Sequence, residues 1–308
     1  MNGGPYEAWL PDGRRLHLQY GPIDLILQAF GDADEVSSAY RQAVARFGTI
    51  LDELVAELPT LRRSLGQEPP LVEGAVARRM AHACSRHVAA APNLFLTPMA
   101  AVAGAVADEV LAAMRRGRAL SRAYVNDGGD IALYLTPGHR FKVGIVAEVG
   151  RPQIAATVTI DAALPVRGIA TSGRATHGRG GRSFSLGIAD AVTALARDGA
   201  SADAAATLIA NAVTIASPAV ERRPARALQA DSDLGDLPVV VAVGPLSEDD
   251  VSEALEAGQG EAQAMRDAGL IDGAFLSLRG RHRSVGMPQP ALGASQARPD
   301  LRKSGDVA

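Results

Sequence analysis

The feature that most constrains the fold is an apolar stretch, residues 123–135, that is interrupted by two adjacent glycines. Residues 123–125 and 131–135 are mainly aliphatic or aromatic, which suits two half-buried strands. Between them, Asn126-Asp-Gly-Gly-Asp130 contains residues that tolerate positive φ angles, and an Asx-Gly pair is a strong signal of a tight hairpin. Adjacent glycines also let a backbone approach a ligand without a Cβ between them. The stretch therefore predicts a hairpin whose turn is either a plain connection or part of a binding site.

The composition indicates a folded chain with a substantial core. Its 308 residues are 47 % hydrophobic, which is enough for one large domain or two modest ones. The net charge of −3 and an aromatic content of 4 % argue against nucleic acid or an anionic membrane as the partner. The single cysteine, Cys84, excludes an intramolecular disulfide.

The sequence contains no recognisable targeting or membrane-spanning segment. Residues 1–12 lack the basic region and apolar core of a secretory signal, and no stretch reaches about 18 uninterrupted apolar residues. We therefore expect a cytoplasmic protein.

The first part of the chain combines sheet and helix patterns. Residues 34–58 carry apolar side chains at three- and four-residue steps, which predicts an amphipathic helix that Asp32 or Asp34 can cap. Turn residues and alternating polarity predict strands before this helix. The predicted elements are strands at 6–10, 15–20 and 23–30, and helices at 34–58, 71–91 and 100–114.

The predicted helix at 71–91 carries a group of potential metal ligands, His82, Cys84 and His87. Their spacing is no standard zinc pattern, a fourth ligand is missing, and the adjacent arginines disfavour a cation. The pattern favours a partly exposed basic face, with binding of an anionic ligand as the weaker alternative.

Residues 100–114 form a predicted helix of very small side chains. Thr97 or Asn93 can cap this helix, and Pro98 suits its first position. Small side chains let a second backbone or a ligand come close, and a helix N-terminus can hold an anion. Tight packing in the core is the alternative explanation.

The second part of the chain is predicted to add strands, two helices and a tail. Residues 171–183 are rich in glycine, arginine and hydroxyl side chains, which suits either a phosphate cradle or a mobile surface loop. Glycine, proline and charged residues predict a disordered tail at 286–308. The predicted strands are 140–149, 152–161, 166–170, 184–196, 238–244 and 274–278, and the predicted helices are 202–215 and 247–268.

A carboxylate and a hydroxyl stand four residues apart at the start of the helix predicted for residues 202–215. Asp203 and Thr207 therefore project from one helix face. Oxygen ligands of this kind suit a hard cation such as magnesium, completed by carbonyls, phosphate and water. The alternative is an acid that interacts favourably with the helix dipole, next to an ordinary threonine.

Three motifs in this order resemble the ApbE-like superfamily, whose best-known members are FAD:protein FMN transferases. They are Ala101-Val-Ala-Gly-Ala-Val-Ala-Asp108, Val125-Asn-Asp-Gly-Gly-Asp130, and Ala170-Thr-Ser-Gly173 followed by Ala202-Asp-Ala-Ala-Ala-Thr207. The run from Thr97 to Gly104 and residues 184–194 are similar to a short bacterial and archaeal branch of that superfamily. The resemblance covers residues 6–285, and it implies a single α+β domain of mixed or antiparallel sheets with packed helices.

The resemblance also implies a site. Asp203 and Thr207 would be ligands of Mg²⁺, with a backbone carbonyl from residues 101–104 as the third protein ligand. The bound cofactor would be FAD or a related flavin nucleotide. The donor-rich loop at 171–183 is predicted to contact phosphate or act in proton transfer through Arg174, His177, Arg179 and Arg182, with His177 and Arg182 as the catalytic candidates. The residues predicted to bind the cofactor are Asn126, Gly128, Gly129, Asp130, Ser172, Gly173 and Arg174.

The chain departs from the transferases at two places. Ala103-Gly104 stands where they usually carry Lys-Gly, and Gly181-Arg-Ser-Phe-Ser185 stands where they carry His-x-x-Asp-Pro. Three functions therefore stay open: an FMN transferase that uses an acceptor protein, an inactive flavin- or nucleotide-binding accessory protein, and a factor in sulfur assimilation into homocysteine, with which the short branch is associated. The opening sheet and the small-residue helix also permit a homodimer.

Overall fold

The computed structural model describes residues 4–91, 94–148, 154–173 and 184–287. The structure contains both helices and antiparallel strands, which confirms the predicted α+β class. A short 3₁₀ helix, Pro98–Ala101, precedes the small-residue helix. The α-helices of the described residues are α1 (Ala33–Leu61), α2 (Ala75–Ala90), α3 (Val102–Arg115), α4 (Gly199–Ala212), α5 (Ala225–Leu228) and α6 (Glu248–Asp267).

The strands are numbered in chain order. They are β1 (Tyr6–Trp9), β2 (Leu16–Tyr20), β3 (Ile23–Gly31), β4 (Leu120–Asp127), β5 (Asp130–Leu135), β6 (Arg140–Val146), β7 (Ile154–Asp161), β8 (Gly168–Ser172), β9 (Ala191–Ala196), β10 (Val220–Pro224), β11 (Pro238–Val243), β12 (Gly273–Leu278) and β13 (Arg281–Val285).

The chain forms two compact units. The first comprises residues 1–140, 161–170 and 195–204, and the second comprises residues 141–160, 171–194 and 205–308. The single-domain boundary at residue 285 stays a prediction.

The first unit is built on an antiparallel sheet in the order β1-β2-β3-β4-β5-β8. Helix α1 packs on β2 and β3 and also on α3. The large side chains Leu25, Leu27, Phe47 and Ile50 fill this core and are almost fully removed from water. Every second residue of the strands and one apolar face of α1 thus point into the same hydrophobic core.

Helix α1 confirms the predicted amphipathic helix and is slightly longer than predicted. The carboxylate of Asp32 caps it by accepting the amide of Asp34 at 3.0 Å. Pro59 lies inside the last turn, and the helix continues to Leu61. A proline so close to the end removes only one amide, so it does not stop the helix at residue 58.

The second unit contains three pairs of neighbouring strands, of which β10–β11 and β12–β13 are antiparallel. β6 lies beside β7, β10 pairs with β11, and β12 pairs with β13 and has β9 on its other side. Helix α6 packs on β12 and β13. Its N-terminus has the predicted capping box, in which Ser247 and Asp250 bond each other's backbone amides.

The prediction of one continuous strand at 184–196 is wrong in its first half. Only Ala191–Ala196 is a strand, while the amides before it bond to unrelated partners. Leu186 donates to the side chain of Asn211, Ile188 to the carbonyl of Val213, and Asp190 to the carbonyl of Ser277. These acceptors come from separate elements, so no regular ladder forms.

None of the described helices has both the length and the apolar character needed to cross a bilayer. The cytoplasmic location stays a prediction.

Candidate functional site

The glycine-rich turn joins β4 and β5 as a two-residue hairpin, as predicted. Asp127 pairs with Asp130, which leaves Gly128 and Gly129 as the loop, at φ of 63° and 117°. The side-chain oxygen of Asn126 accepts the amide of Gly129 at 2.8 Å. Within the described ranges, no atom lies within 4 Å of a Cβ built on either glycine. The turn is therefore fixed at its base and open at its tip, where a ligand has room to approach.

The small-residue helix α3 is placed against the start of α4 by two glycines. A Cβ on Gly104 would lie 2.1 Å from the carbonyl oxygen of Gly199, and a Cβ on Gly199 would lie 2.8 Å from the carbonyl oxygen of Gly104. Real Cβ atoms do not come that close to a backbone oxygen. The small residues thus allow the backbones of α3 and α4 to contact each other closely, as predicted for an approaching second backbone.

Each of these helices is capped by an aspartate of the other. Asp203 of α4 accepts the amide of Gly104 at 3.1 Å, near the start of α3, where Ala101 offers no side-chain cap. Asp108 of α3 accepts the amides of Gly199 and Ala200, each at 2.9 Å, at the start of α4. The two aspartates satisfy amide groups that a helix cannot pair by itself. We refer to this arrangement as the reciprocal caps.

The reciprocal caps hold both aspartates in half-buried positions, where the charged form of each carboxyl group is disfavoured. Burial, aided by the charge of Asp198, raises the pKa of Asp108 to about 7, against the opposing effect of its two amide bonds and of Arg79. Burial also raises the pKa of Asp203, although the amides of Gly104 and Ala103 act in the other direction. Both carboxyl groups would gain from a nearby positive charge, because an opposite charge favours the ionised form.

The predicted metal ligands lie one turn apart on α4. Asp203 and Thr207 are both partly accessible, and both offer the oxygen donors that Mg²⁺ takes. The described residues contain no group of three or more His, Cys, Asp and Glu side chains that could hold a metal ion. The two side chains fit a magnesium site only if backbone carbonyls, water or ligand phosphates supply the other positions.

The remaining predicted cofactor residues fall in other parts of the chain. Ser172 is the last residue of β8 and Gly173 follows it, and both belong to the second unit. A Cβ on Gly173 would lie 2.6 Å from the carbonyl oxygen of Asp190, so packing alone requires a glycine there. The predicted phosphate and catalytic residues Arg174, His177, Arg179 and Arg182 lie outside the described residues.

The predicted partly exposed basic face of α2 is confirmed only in part, because His82 is exposed while Cys84 and His87 are buried. Cys84 is fully buried, with its sulfur 3.9 Å from the carbonyl oxygen of Pro98, and burial raises the pKa of its thiol. His87 is buried too, and this lowers its pKa to about 4, with a smaller contribution from Arg86. His82 borders a cavity of about 310 Å³ with Arg79 and Glu109.

Two carboxylates that cap α4 were not predicted from the sequence. Asp108 lies in the motif of residues 101–108, but no local pattern shows its capping role, because its partners are 91 and 92 residues away. Asp198 accepts the amide of Ser201 at 2.7 Å and thereby caps α4. An aspartate directly before a predicted helix is a common N-cap signal, and it could have identified Asp198, which precedes α4.

Comparisons with known proteins bear on this site. A family model described as AbpE bacteria matches residues 7–284, which confirms the resemblance that the three motifs indicated. A UPF0280 protein of Methanothrix thermoacetophila is 36 % identical over 177 residues, which is 56 % of this chain and 68 % of the relative. A UPF0280 protein of Methanopyrus kandleri is 32 % identical over 221 residues, 67 % of this chain and 77 % of the relative. The alignments cover between 49 % and 77 % of the curated relatives' own lengths.

Solved structures of similar proteins are more distant. The flavinyl transferase ApbE of Pseudomonas stutzeri, in its apo form, has 13 % identity and a TM-score of 0.47, covering 91 % of this chain and 93 % of that one. The ApbE protein of Thermotoga maritima has 11 % identity and a TM-score of 0.47, covering 91 % and 96 %. These likenesses are too distant to carry an argument about function.

Proposed function

Because this chain belongs to the AbpE bacteria family, we propose that it binds a flavin nucleotide or a similar pyrophosphate together with Mg²⁺. FAD is the first ligand to test, and transfer of FMN to an acceptor protein is the reaction that the family resemblance suggests.

The observation that carries this proposal is the contact between Asp203 and the start of α3. Its carboxylate lies 3.1 Å from the amide of Gly104, in the segment from which the third metal ligand was predicted. Thr207 follows one turn later on the same helix. A carboxylate whose ionised form is disfavoured by burial, one helical turn from the half-buried hydroxyl of Thr207 and beside the start of α3, is a suitable place for a hard cation.

The chain's own residues have separate tasks in this proposal. Asp203 and Thr207 hold the cation, and the cation would neutralise charge that develops on the pyrophosphate. Gly128 and Gly129 leave space for the nucleotide, while Asn126 fixes their turn and Asp130 offers a hydrogen-bond acceptor. In the transfer reaction, the acceptor's hydroxyl oxygen would bond to the FMN phosphorus, the pyrophosphate bond would break, AMP would leave, and the hydroxyl proton would pass to solvent or to the leaving AMP.

A second candidate is a protein that binds the nucleotide without cleaving it. Ala103 stands where the transferases usually carry a lysine, so this chain lacks a cation that they place beside the site. Such a protein would act as a carrier or accessory factor. A role in sulfur assimilation is a third candidate, and a deletion strain that requires methionine or homocysteine would support it.

The test is a titration of the purified protein with FAD, with and without Mg²⁺, followed by flavin fluorescence and then by analysis for FMN and AMP. We expect saturable binding that depends on magnesium. AMP release would support the transferase, and binding without cleavage over hours would support the accessory protein. If FAD does not bind in either condition, the proposed ligand is wrong.

A variant pair separates the metal role of Asp203 from its role as a cap. Asp203→Asn keeps an oxygen that can accept the amide of Gly104 but loses the charge that attracts a cation. We expect it to fold and to lose the magnesium dependence of FAD binding. Asp249→Asn removes an exposed charge on α6 and is the matched control. Equal binding by both variants would remove Asp203 from the proposed site.

A further inference from the structure

A groove of about 810 Å³ lies between the strands β1 to β3 and the first half of α1, in the first unit. This volume is within the range of pockets that hold small molecules. None of the residues predicted for the flavin and magnesium site lines the groove. The groove is therefore a separate feature that the proposed function leaves unexplained.

The floor of the groove is aromatic and aliphatic. Trp9 and Tyr40 meet edge to face with their ring centroids 4.9 Å apart, and Val36, Val44 and Phe30 lie beside them. Trp9 is 54 % exposed, although a tryptophan gains much from burial. Tyr40 is held in place because its hydroxyl donates to the carbonyl of Arg14 and accepts the amide of Ala29. Trp9 thus presents an apolar ring to solvent, and it lies against the fixed and almost fully buried ring of Tyr40, which lines the groove at its base.

The charged side chains at the rim differ between the two ends of the groove. Arg14 and Arg41 both line it, and in the described part of the chain neither guanidinium has a carboxylate oxygen within 4 Å. The guanidinium of Arg41 is oriented by the hydroxyls of Ser37 and Ser38, each at 2.8 Å. Glu7 shares a face of β1 with Trp9, two residues further from the turn that carries Arg14. One end of the groove is thus cationic, and the acid lies toward the other.

We propose that this groove binds a small apolar carboxylate, with its alkyl or aromatic body on Trp9 and Tyr40 and its carboxylate at Arg14 and Arg41. Guanidinium groups pair with carboxylates in a well-defined geometry, and both arginines are exposed at the rim, where a ligand carboxylate can reach them. A second copy of the chain is a poorer occupant, because β1 is a four-residue edge strand preceded by Pro5, and short edges with a nearby proline resist pairing.

The experiment uses the natural fluorescence of the full chain. Trp9 is the single tryptophan, so emission excited at its absorption edge reports on the groove alone. The probes are octanoate and 4-phenylbutyrate, and octan-1-ol is the uncharged match of octanoate. We expect a saturable change of Trp9 emission with at least one of the two carboxylates, and weaker binding of octan-1-ol.

Variants then test the two halves of the groove. The double variant Arg14→Gln, Arg41→Gln should weaken carboxylate binding about tenfold or more and leave octan-1-ol binding unchanged, since it removes only the charged partners. Val44→Glu, at a half-buried position of the floor, should abolish binding of all three probes. Arg63→Gln, exposed beyond the end of α1, is the matched control and should change nothing.

Three outcomes would overturn the proposal. The first is no saturable response to either carboxylate at millimolar concentration. The second is carboxylate binding that the double arginine variant leaves unchanged. The third is Trp9 emission that shifts with protein concentration alone, which would show that a second copy covers the groove.

Discussion

Asp108 has the most consequential side chain that the sequence did not reveal. Its two oxygens accept two amides of α4 at 2.9 Å, and those amides have no partner within their own helix. We expect Asp108→Ala to lower the free energy of unfolding by about 1–3 kcal/mol, because it leaves buried donors unpaired. Urea denaturation at pH 7 measures this change.

The control for Asp108 is an acid that caps nothing. Asp249 lies exposed in the first turn of α6, where the capping is done by Ser247 and Asp250. Asp249→Ala should change stability by less than about 0.5 kcal/mol. Similar losses in both variants would mean that the reciprocal caps contribute little.

His87 makes stability depend on pH. Its pKa falls from 6.5 to about 4 in the folded protein because it is buried, with Arg86 as a further cause. The unfolded chain therefore takes up the proton first as the pH falls. The contribution of His87 to stability is complete above pH 6.5 and decreases between pH 6.5 and pH 4, by about 3 kcal/mol at most.

The measurement compares urea unfolding of the wild type and His87→Gln at pH 7.5 and pH 4. The variant must be compared with the wild type because Asp108 has the opposite pH dependence. Its raised pKa stabilises the folded state at low pH, and this stabilisation is lost as the pH rises from 3.8 to about 7. The variant should lose less stability on acidification than the wild type. Parallel pH profiles would contradict the assignment.

At the scale of elements, the contact between α3 and α4 depends on the missing side chain of Gly104. Gly104→Ala would place a Cβ 2.1 Å from the carbonyl oxygen of Gly199, so the helices must separate. We expect a loss of at least about 2 kcal/mol in unfolding free energy, as in other overpacked cores. Chemical denaturation monitored by circular dichroism measures it.

The chain supplies a matched control in a second helical glycine. Gly260 lies exposed in α6, and within the described ranges no atom lies within 4 Å of a Cβ built there. Gly260→Ala should stabilise the protein by about 0.5–1 kcal/mol, since alanine is the better helix former. Opposite signs for the two substitutions would establish that the effect at Gly104 is steric.

The elements that the sequence predicted well are those that local residues determine. The hairpin at Gly128-Gly129, helix α1 and the capping box of α6 each depend on neighbours within a few positions. Strands β10 and β13 were not predicted, and β10 contains the basic run Glu221-Arg-Arg-Pro224. Both acquire their strand geometry from partners in the sheet rather than from their own propensity.

At the scale of the whole molecule, ligand binding should be visible as stability. A ligand that binds only the folded state at a hundred times its dissociation constant adds about 2.7 kcal/mol. If the proposed function is right, FAD and Mg²⁺ together raise Tm by a few degrees, and each alone raises it less. Differential scanning calorimetry measures the shift, and Asp203→Asn should remove the part that needs magnesium.

The candidate site also divides into residues that local patterns predict and contacts between distant parts of the chain that they do not. Asp203, Thr207 and the glycine turn were found because motif order and spacing are written along the chain. The pairing of Asp203 with Gly104 joins residues 99 positions apart, and no local pattern encodes it. The groove beside Trp9 was missed for the same reason, since its walls come from three strands and a helix.

The reciprocal caps have a consequence for how this protein is made. Helix α3 ends at Arg115, but the carboxylate that completes its first turn belongs to residue 203, so the ribosome must add nearly ninety further residues before that turn can be capped. The start of α3 therefore remains frayed until residue 203 has been added, while α1 carries its own cap and can form at once. Nascent chains released before residue 199 should be cut by proteases at residues 101–104, and full-length chains should resist cleavage there.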